Sequence, residues 1–291
     1  MRQQSLFDQP RPARMAPARP SFPASLSFDS WSSWVDHCER CVHPKGAARA
    51  VDGGPSWAGG VDFDGALHLA RDGWPEGTRR AEKQTMTLAD KLAPQLVRDE
   101  YRFERAPGVC FDMSRVLTGD PDCWIEPYET HVAGPGRPLV LVVSGNASAA
   151  VSSETIMRRG ATLAAFAILL ERAGRACEIV LSMCARGDSL TAVDLVTLKH
   201  AGQPLNVDVA TFALGHPATL RRLSFASLEG RTEAICRDVG VKPYAGGYGH
   251  PADAPADNRG DVYVGVHGDW ASPESAEAWL RATLKQQGAI A

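Results

Sequence analysis

The sequence predicts an α/β protein, a mainly parallel sheet flanked by helices, on three observations. Leu139 to Val143 is a continuous apolar run, the mark of a strand buried on both faces. An amphipathic stretch over residues 153–173 follows, and a second apolar run occupies 176–183. Beyond it, extended and helical patterns alternate to residue 287, the order that gives a parallel sheet with crossover helices.

Taken in order, residues 1–27 hold Pro10, Pro12, Pro17, Pro20 and Pro23 among Arg2, Arg11, Arg14 and Arg19. That composition lacks periodic apolar positions and predicts a disordered basic tail. Residues 28–130 form an α+β region that carries Trp31, Trp34, Trp57, Trp74 and Trp124. Helices are expected at 31–41, 63–72 and 77–96. The second has an acidic first turn, apolar positions 63, 66, 67 and 70, and Gly73 past its end. Residues 108–113 and 123–125 read as strand fragments.

Residues 131–291 form the α/β domain proper. The expected order is strand 139–143, helix 153–173, strands 176–183 and 190–200, helix 207–229 broken at His216-Pro217, strand 261–267 and helix 273–287. Polar and apolar residues alternate from Thr191 to His200, which predicts an edge strand with one wetter face. Residues 244–260, rich in Gly, Pro, Ala and Asp, read as a mobile loop. The last helix is signed by Ser272 as cap, Pro273 at the first helical position, Glu274 in the first turn and Gly288 as stop.

Composition narrows the function. A chain of 291 residues with 44% hydrophobic content supports a full core in one or two domains of about 150 residues each. The net charge of -3 supplies no global positive field, so nucleic acid is not indicated as a partner. The longest apolar stretch, 160–170, is too short to span a bilayer, and the first thirty residues lack a signal-peptide core, so no membrane is expected. Seven cysteines, an odd number in a chain this large, favour reduced thiols in a bacterial cytoplasm.

The candidate site is the turn Ser144-Gly145-Asn146-Ala147-Ser148, small polar residues at the carboxyl end of the first buried strand, where open α/β sheets place ligands. Strand, Ser-x-Asn-x-Ser turn, helix, strand and edge-like strand together resemble the von Willebrand factor A family. Its metal-ion-dependent adhesion site begins Asp-x-Ser-x-Ser after the first strand. The resemblance implies Ser144, Asn146 and Ser148 as ligands of Mg²⁺, with Ser144 standing where the family has its leading Asp. Losing that carboxylate removes the strongest term for a hard cation and makes the site a degenerate one. The same turn precedes a helix whose free N–H groups and Arg158 and Arg159 favour an anion. No glycine-rich phosphate loop accompanies it, and Ser148 lacks the G-x-S-x-G elbow of a nucleophile.

Elsewhere, Cys38-x-x-Cys41 with His43 offers ligands for Zn²⁺, and Cys38 and Cys41 as paired thiols admit a redox reading. His200, His216, His250 and His267, with Asp261 or Asp269, are the residues of a rival metal-dependent hydrolase. Arg221 and Arg222 lie beside Leu220, Leu223, Phe225 and Leu228, which leaves the arginines for a partner or for water. Gln3, Leu6 and Phe7 resemble the Gln-x-Ser-Leu-Phe peptides with which bacterial replication proteins dock on the sliding clamp. In overall texture the chain resembles proteins of phages and prophages. The expectation is a protein-binding adaptor or assembly factor that uses the 144–148 turn, with no catalytic residues.

Overall fold

The computed structural model describes residues 22–49, 56–92, 100–104, 110–128, 138–172, 175–241, 247–266, 270 and 272–287. Ser25–Phe28 (β1) is a short strand of alternating burial, preceded by a parallel bridge from Phe22 to Arg231. The limit of the predicted tail, residue 27, therefore falls inside a strand. Trp31–Cys41 (α1) is capped by Ser30, whose hydroxyl accepts from the Ser33 N–H at 3.3 Å. Phe63–Asp72 (α2) is capped by Asp62 and ends at Gly73, whose φ of 95° a side chain would resist. The Trp31 indole donates to the Ala70 carbonyl at 2.7 Å and ties α1 to α2. Pro75–Leu92 (α3) starts on Pro75, suited to a helical first turn, two residues before the expected boundary.

Glu100–Glu104 (β2), Cys110–Phe111 (β3) and Trp124–Tyr128 (β4) make a small antiparallel sheet in the order β2-β4-β3, with Met113–Leu117 (α4) between its second and third strands. The main sheet follows. Leu139–Ser144 (β5) leads through residues 145–152 into Ser153–Arg172 (α5), then Cys177–Arg186 (β6) and Thr191–Lys199 (β7). Val207–Gly215 (α6) ends at His216, a π-helical turn spans Thr219–Ser224, and Phe225–Glu229 (α7) and Glu233–Val239 (α8) close the helical run. His250–Pro251 (β8), Val262–Val264 (β9) and Pro273–Gln286 (α9) complete the chain.

The main sheet has the order β1-β7-β6-β5-β9, with β8 added against β6. β5 runs parallel to β6 and to β9, and β1 parallel to β7, while β7 and β8 run antiparallel to β6. The architecture is thus α/β with a mixed, mostly parallel sheet flanked by helices. β7 is not the edge, because β1 lies outside it. Its alternation has another cause: Val196 joins the main core while Val193 and Leu195 join a smaller cluster with Cys184 and Ala254.

One core unites the Trp-rich region with the sheet. Trp31, Trp34, Phe63 and Trp74 share a cluster with Leu139, Leu141, Val143, Ile179 and Leu181 of the strands and Leu163, Phe166 and Leu170 of α5. Each such large side chain contributes on the order of 1.5–3 kcal/mol by leaving water. α5 and α6 meet where Gly160 and Gly215 let two backbones touch, since a Cβ on Gly160 would stand 2.1 Å from the Gly215 Cα. A buried polar hub fixes the outer strands. Asp194 on β7 is ion-paired with Arg231 and accepts from the Trp34 indole at 3.0 Å and the Ser227 hydroxyl at 2.6 Å. Arg231 also donates to the Pro23 carbonyl at 2.6 Å, which pins the chain just before β1.

Candidate functional site

β5 ends at Ser144 opposite Ser182 of β6, which runs on to Arg186, and the chain leaves β5 into the predicted turn. The turn is not a set of converging ligands. Ser144 is fully buried, and its hydroxyl accepts from the Asn146 N–H at 3.4 Å. Asn146, 4% exposed, spends its side-chain amide on the Cys184 carbonyl at 2.9 Å and the Ala252 carbonyl at 3.4 Å. Ser148 is exposed and accepts from the Ala150 N–H. Asn146 therefore bridges β6 and the segment after β8, while Ser144 braces the turn from within. As Mg²⁺ ligands the three do not form one cradle: one hydroxyl is sealed and the other faces water.

What the turn does border is a cleft of about 90 Å³ at the carboxyl end of β5 and β6. Asn146, Ala147 and Ala149 form one side, and Cys184 and Ala185 of β6 the floor. Leu220, Arg221, Ser224, Phe225 and Leu228 come from the π-helical turn and α7, Trp57 from the loop before α2, and Gly247 to Gly249 with Pro251 from the strand-like return. The volume holds a few waters or a single side chain, and falls well below the roughly 300 Å³ at which cofactor and drug-sized sites begin.

Two walls of this cleft were not legible as such in the sequence. Arg221 and Arg222 point inward, where the expectation left them on the outer face for a partner or for water. A π-helical turn takes more residues per turn than an α-helix, so the face predicted from α periodicity slips and both guanidiniums enter the interior. Arg221 is 2% exposed, lies 4.8 Å from the centroid of the Trp57 ring, and donates to the Trp57 carbonyl, to the Val151 carbonyl at 2.7 Å and to the Ser153 hydroxyl at 3.4 Å. Arg222 donates to carbonyls of Val61, Ala47 and Ala48. The second wall is Tyr248, the one non-glycine residue with positive φ among the described residues, at 53°. Its ring stacks on Phe225 at 4.3 Å, and its hydroxyl donates to the buried Glu229 carboxylate at 2.7 Å while accepting from the Ala47 N–H. Burial and the neighbouring Glu229 push the Tyr248 phenol well above its usual range. The Phe225 stack and the hydrogen bonds to Glu229 and Ala47 hold that left-handed backbone in place, and this part of the expected mobile loop forms a wall of the cleft.

Of the two arginines predicted on α5, Arg158 turns away and donates to the Trp270 carbonyl at 3.3 Å. Arg159 is 4% exposed, donates to the Asn146 carbonyl at 3.3 Å, and has an Nε with no partner. Burial alone pulls its pKa down to about 10.

The remaining candidates stay apart. Cys38 and Cys41 lie in the last two turns of α1, both buried, and burial pushes the Cys38 thiol well above its usual value. That is the inert end of the helix for a thiolate, which corrects the redox reading. Cys41 Sγ faces His37, at 3.5 Å from Nε2, whereas His43 Nδ1 accepts from the Lys45 N–H. The helix cap at Val42 thus separates His43 from the cysteines that were grouped with it for Zn²⁺. Among the described residues no group of three or more His, Cys, Asp or Glu side chains is placed to hold a metal. His200 meets the Asp29 carbonyl, and His216 is buried between Phe212 and Trp74. Exposed His250 sits on β8, and the Asp261 carboxylate accepts from the Val140 N–H. His267, Asp269 and the clamp-type residues Gln3, Leu6 and Phe7 lie outside the described residues. Among the described residues no helix is long and apolar enough to cross a membrane.

The sequence profile of a domain of unknown function, DUF7192, matches residues 21–290. The chain belongs to the DUF7192 family. The DUF7192 match begins beside the Phe22 bridge and ends past α9, so it takes in β1, the Trp-rich region, the main sheet and every wall of the cleft. No curated protein and no solved structure matches the chain.

Proposed function

We propose that the protein is a non-catalytic binding protein, an adaptor or assembly factor, which receives part of a protein partner in the cleft at the carboxyl end of β5 and β6. The observation that carries this reading is the cleft itself. It is a side-chain-sized hollow where an open α/β sheet exposes its strand ends, walled by Trp57, Phe225, Tyr248 and Arg221, residue types that dominate binding hot spots. A von Willebrand A-like arrangement is supported in topology by a parallel β5–β6 pair joined through α5 and followed by antiparallel β7. The metal half of that resemblance is not part of the proposal, because Ser144 and Ser148 face opposite environments.

The test uses the full chain, wild type and Ala149→Trp. Ala149 is exposed on the cleft rim, so an indole there fills the opening without entering the core. Both proteins, matched for circular dichroism and melting temperature, are immobilised and challenged with a bacterial extract. The expected result is a protein retained by wild type and lost, by tenfold or more, on Ala149→Trp. Equal retention by both, or none by wild type, overturns the reading.

A further inference from the structure

The cleft carries a positive charge that no carboxylate among the described residues neutralises. Among the described residues no carboxylate forms an ion pair with Arg221 or Arg159, although both are buried, and the groups that accept from them are neutral carbonyls and one hydroxyl. Both arginines hold the same loop: Arg159 takes the Asn146 carbonyl, Arg221 the Val151 carbonyl and Ser153 hydroxyl. Carbonyl acceptors answer the hydrogen-bonding needs of a guanidinium but not the cost of removing its charge from water, which stays at several kcal/mol unless an anion is near. Elsewhere this chain does compensate such groups, pairing buried Arg231 with Asp194 and buried Lys199 with Glu171. In this Arg221 and Arg159 differ from Arg231 and Lys199.

On this basis, and resting on the binding role above, we propose that the occupant of the cleft is a carboxylate side chain, Asp or Glu, presented by a protein partner and paired with Arg221, with Arg159 adding its field from behind Asn146. Charge and size select that class. A planar monoanion matches the guanidinium fork. The space of about 90 Å³ accepts one short side chain, and Leu220, Leu228, Pro251 and the Trp57 ring suit its methylene groups. A phosphate asks for more donors than one cleft-lining arginine, and the neighbouring turn has no glycine cradle of free N–H groups, Asn146 N–H being spent on Ser144.

The experiment measures the melting temperature of the full chain in sodium propionate, sodium phosphate and sodium chloride at matched ionic strength and pH 7. Wild type is expected to gain at least 2 °C in propionate over chloride and to show no larger gain in phosphate. Folded Ala149→Trp is expected to lose the gain. Arg159→Met, which removes the buried charge, is expected to melt no lower than wild type in chloride and to have at most half the propionate gain. A propionate gain equal in wild type and Ala149→Trp, or a gain in phosphate with none in propionate, overturns the carboxylate assignment. If Ala149→Trp abolishes partner capture while Arg159→Met and Arg221→Gln, both folded, capture as well as wild type, the cleft stands as the binding site and the carboxylate inference alone fails. If Ala149→Trp captures normally, the site itself is wrong.

Discussion

Asp194→Ala removes the acceptor at the centre of the hub that joins β7, α1, α7 and the chain before β1. Arg231, 4% exposed, then stands in the interior without its counter-charge, and the Trp34 indole and Ser227 hydroxyl lose a partner. Breaking one side of a buried ion pair costs about 3–5 kcal/mol, and an unsatisfied buried donor about 1–3 kcal/mol, the two overlapping because the same desolvation is counted in both. A loss near 4 kcal/mol is expected, a large part of the 5–15 kcal/mol that holds a typical domain. In urea, with a slope of about 3 kcal/mol per M, the midpoint falls by about 1.3 M at unchanged slope. The paired change Asp194→Leu with Arg231→Met removes both charges and is expected to recover at least half of that loss, the residue being the Pro23 carbonyl, Trp34 indole and Ser227 hydroxyl left behind. Urea unfolding followed by tryptophan fluorescence reads all three. A loss below 1 kcal/mol for Asp194→Ala, or a double variant weaker than the single one, would refute the assignment of this pair as the rivet of the outer strands.

Acid sensitivity follows from buried imidazoles. Burial lowers His216 from 6.5 to about 4 in the folded chain, so as pH falls the unfolded chain takes up that proton first, and stability present above pH 6.5 is lost progressively down to about pH 4. The difference amounts to roughly 3 kcal/mol; His216→Gln, which keeps an acceptor for the Ala218 N–H, is expected to flatten the pH 4–6.5 limb of urea midpoints by that amount, and an unchanged limb would contradict the cause. His37, lowered to about 4 chiefly by burial, acts in the same direction. Gly160→Ala is expected to cost about 1–3 kcal/mol despite the gain of roughly 1 kcal/mol in helix propensity, because its Cβ has no room against Gly215, whereas Gly202→Ala, with open space around it, leaves the melting temperature unchanged. Tyr248→Phe strips a donor from buried Glu229, with an expected loss of about 1–3 kcal/mol in the same urea assay.

Local signals in the sequence were legible where backbone and solvent decide them. The acidic first turn of α2 with Gly73 past its end, the cap Ser272, Pro273 and the apolar runs at 139–143 and 176–183 mark elements that stand within a few residues of expectation. Long-range choices were not. Ser25–Phe28 is too short and too polar to announce itself, and becomes a strand because β7 offers an open edge and Arg231 holds Pro23. α8 had no counterpart in the expected order, because it spans only Glu233–Val239, although Thr232 and Gly240 cap it. The candidate site was half legible. The turn after β5 borders the cleft as its position implied, but the hydroxyls of Ser144 and Ser148 do not line it. Arg221 and Trp57 do, and neither has a motif: one depends on a π-helical slip, the other on a loop brought in by the Arg221 side chain.

The most direct test of the cleft as the binding site is a propionate titration of isotopically labelled full chain, followed residue by residue through its amide resonances. Shifts gathered on residues 146–151, 220–225 and 247–251 are the expected outcome. Shifts scattered over the surface, or centred away from these three segments, would contradict it.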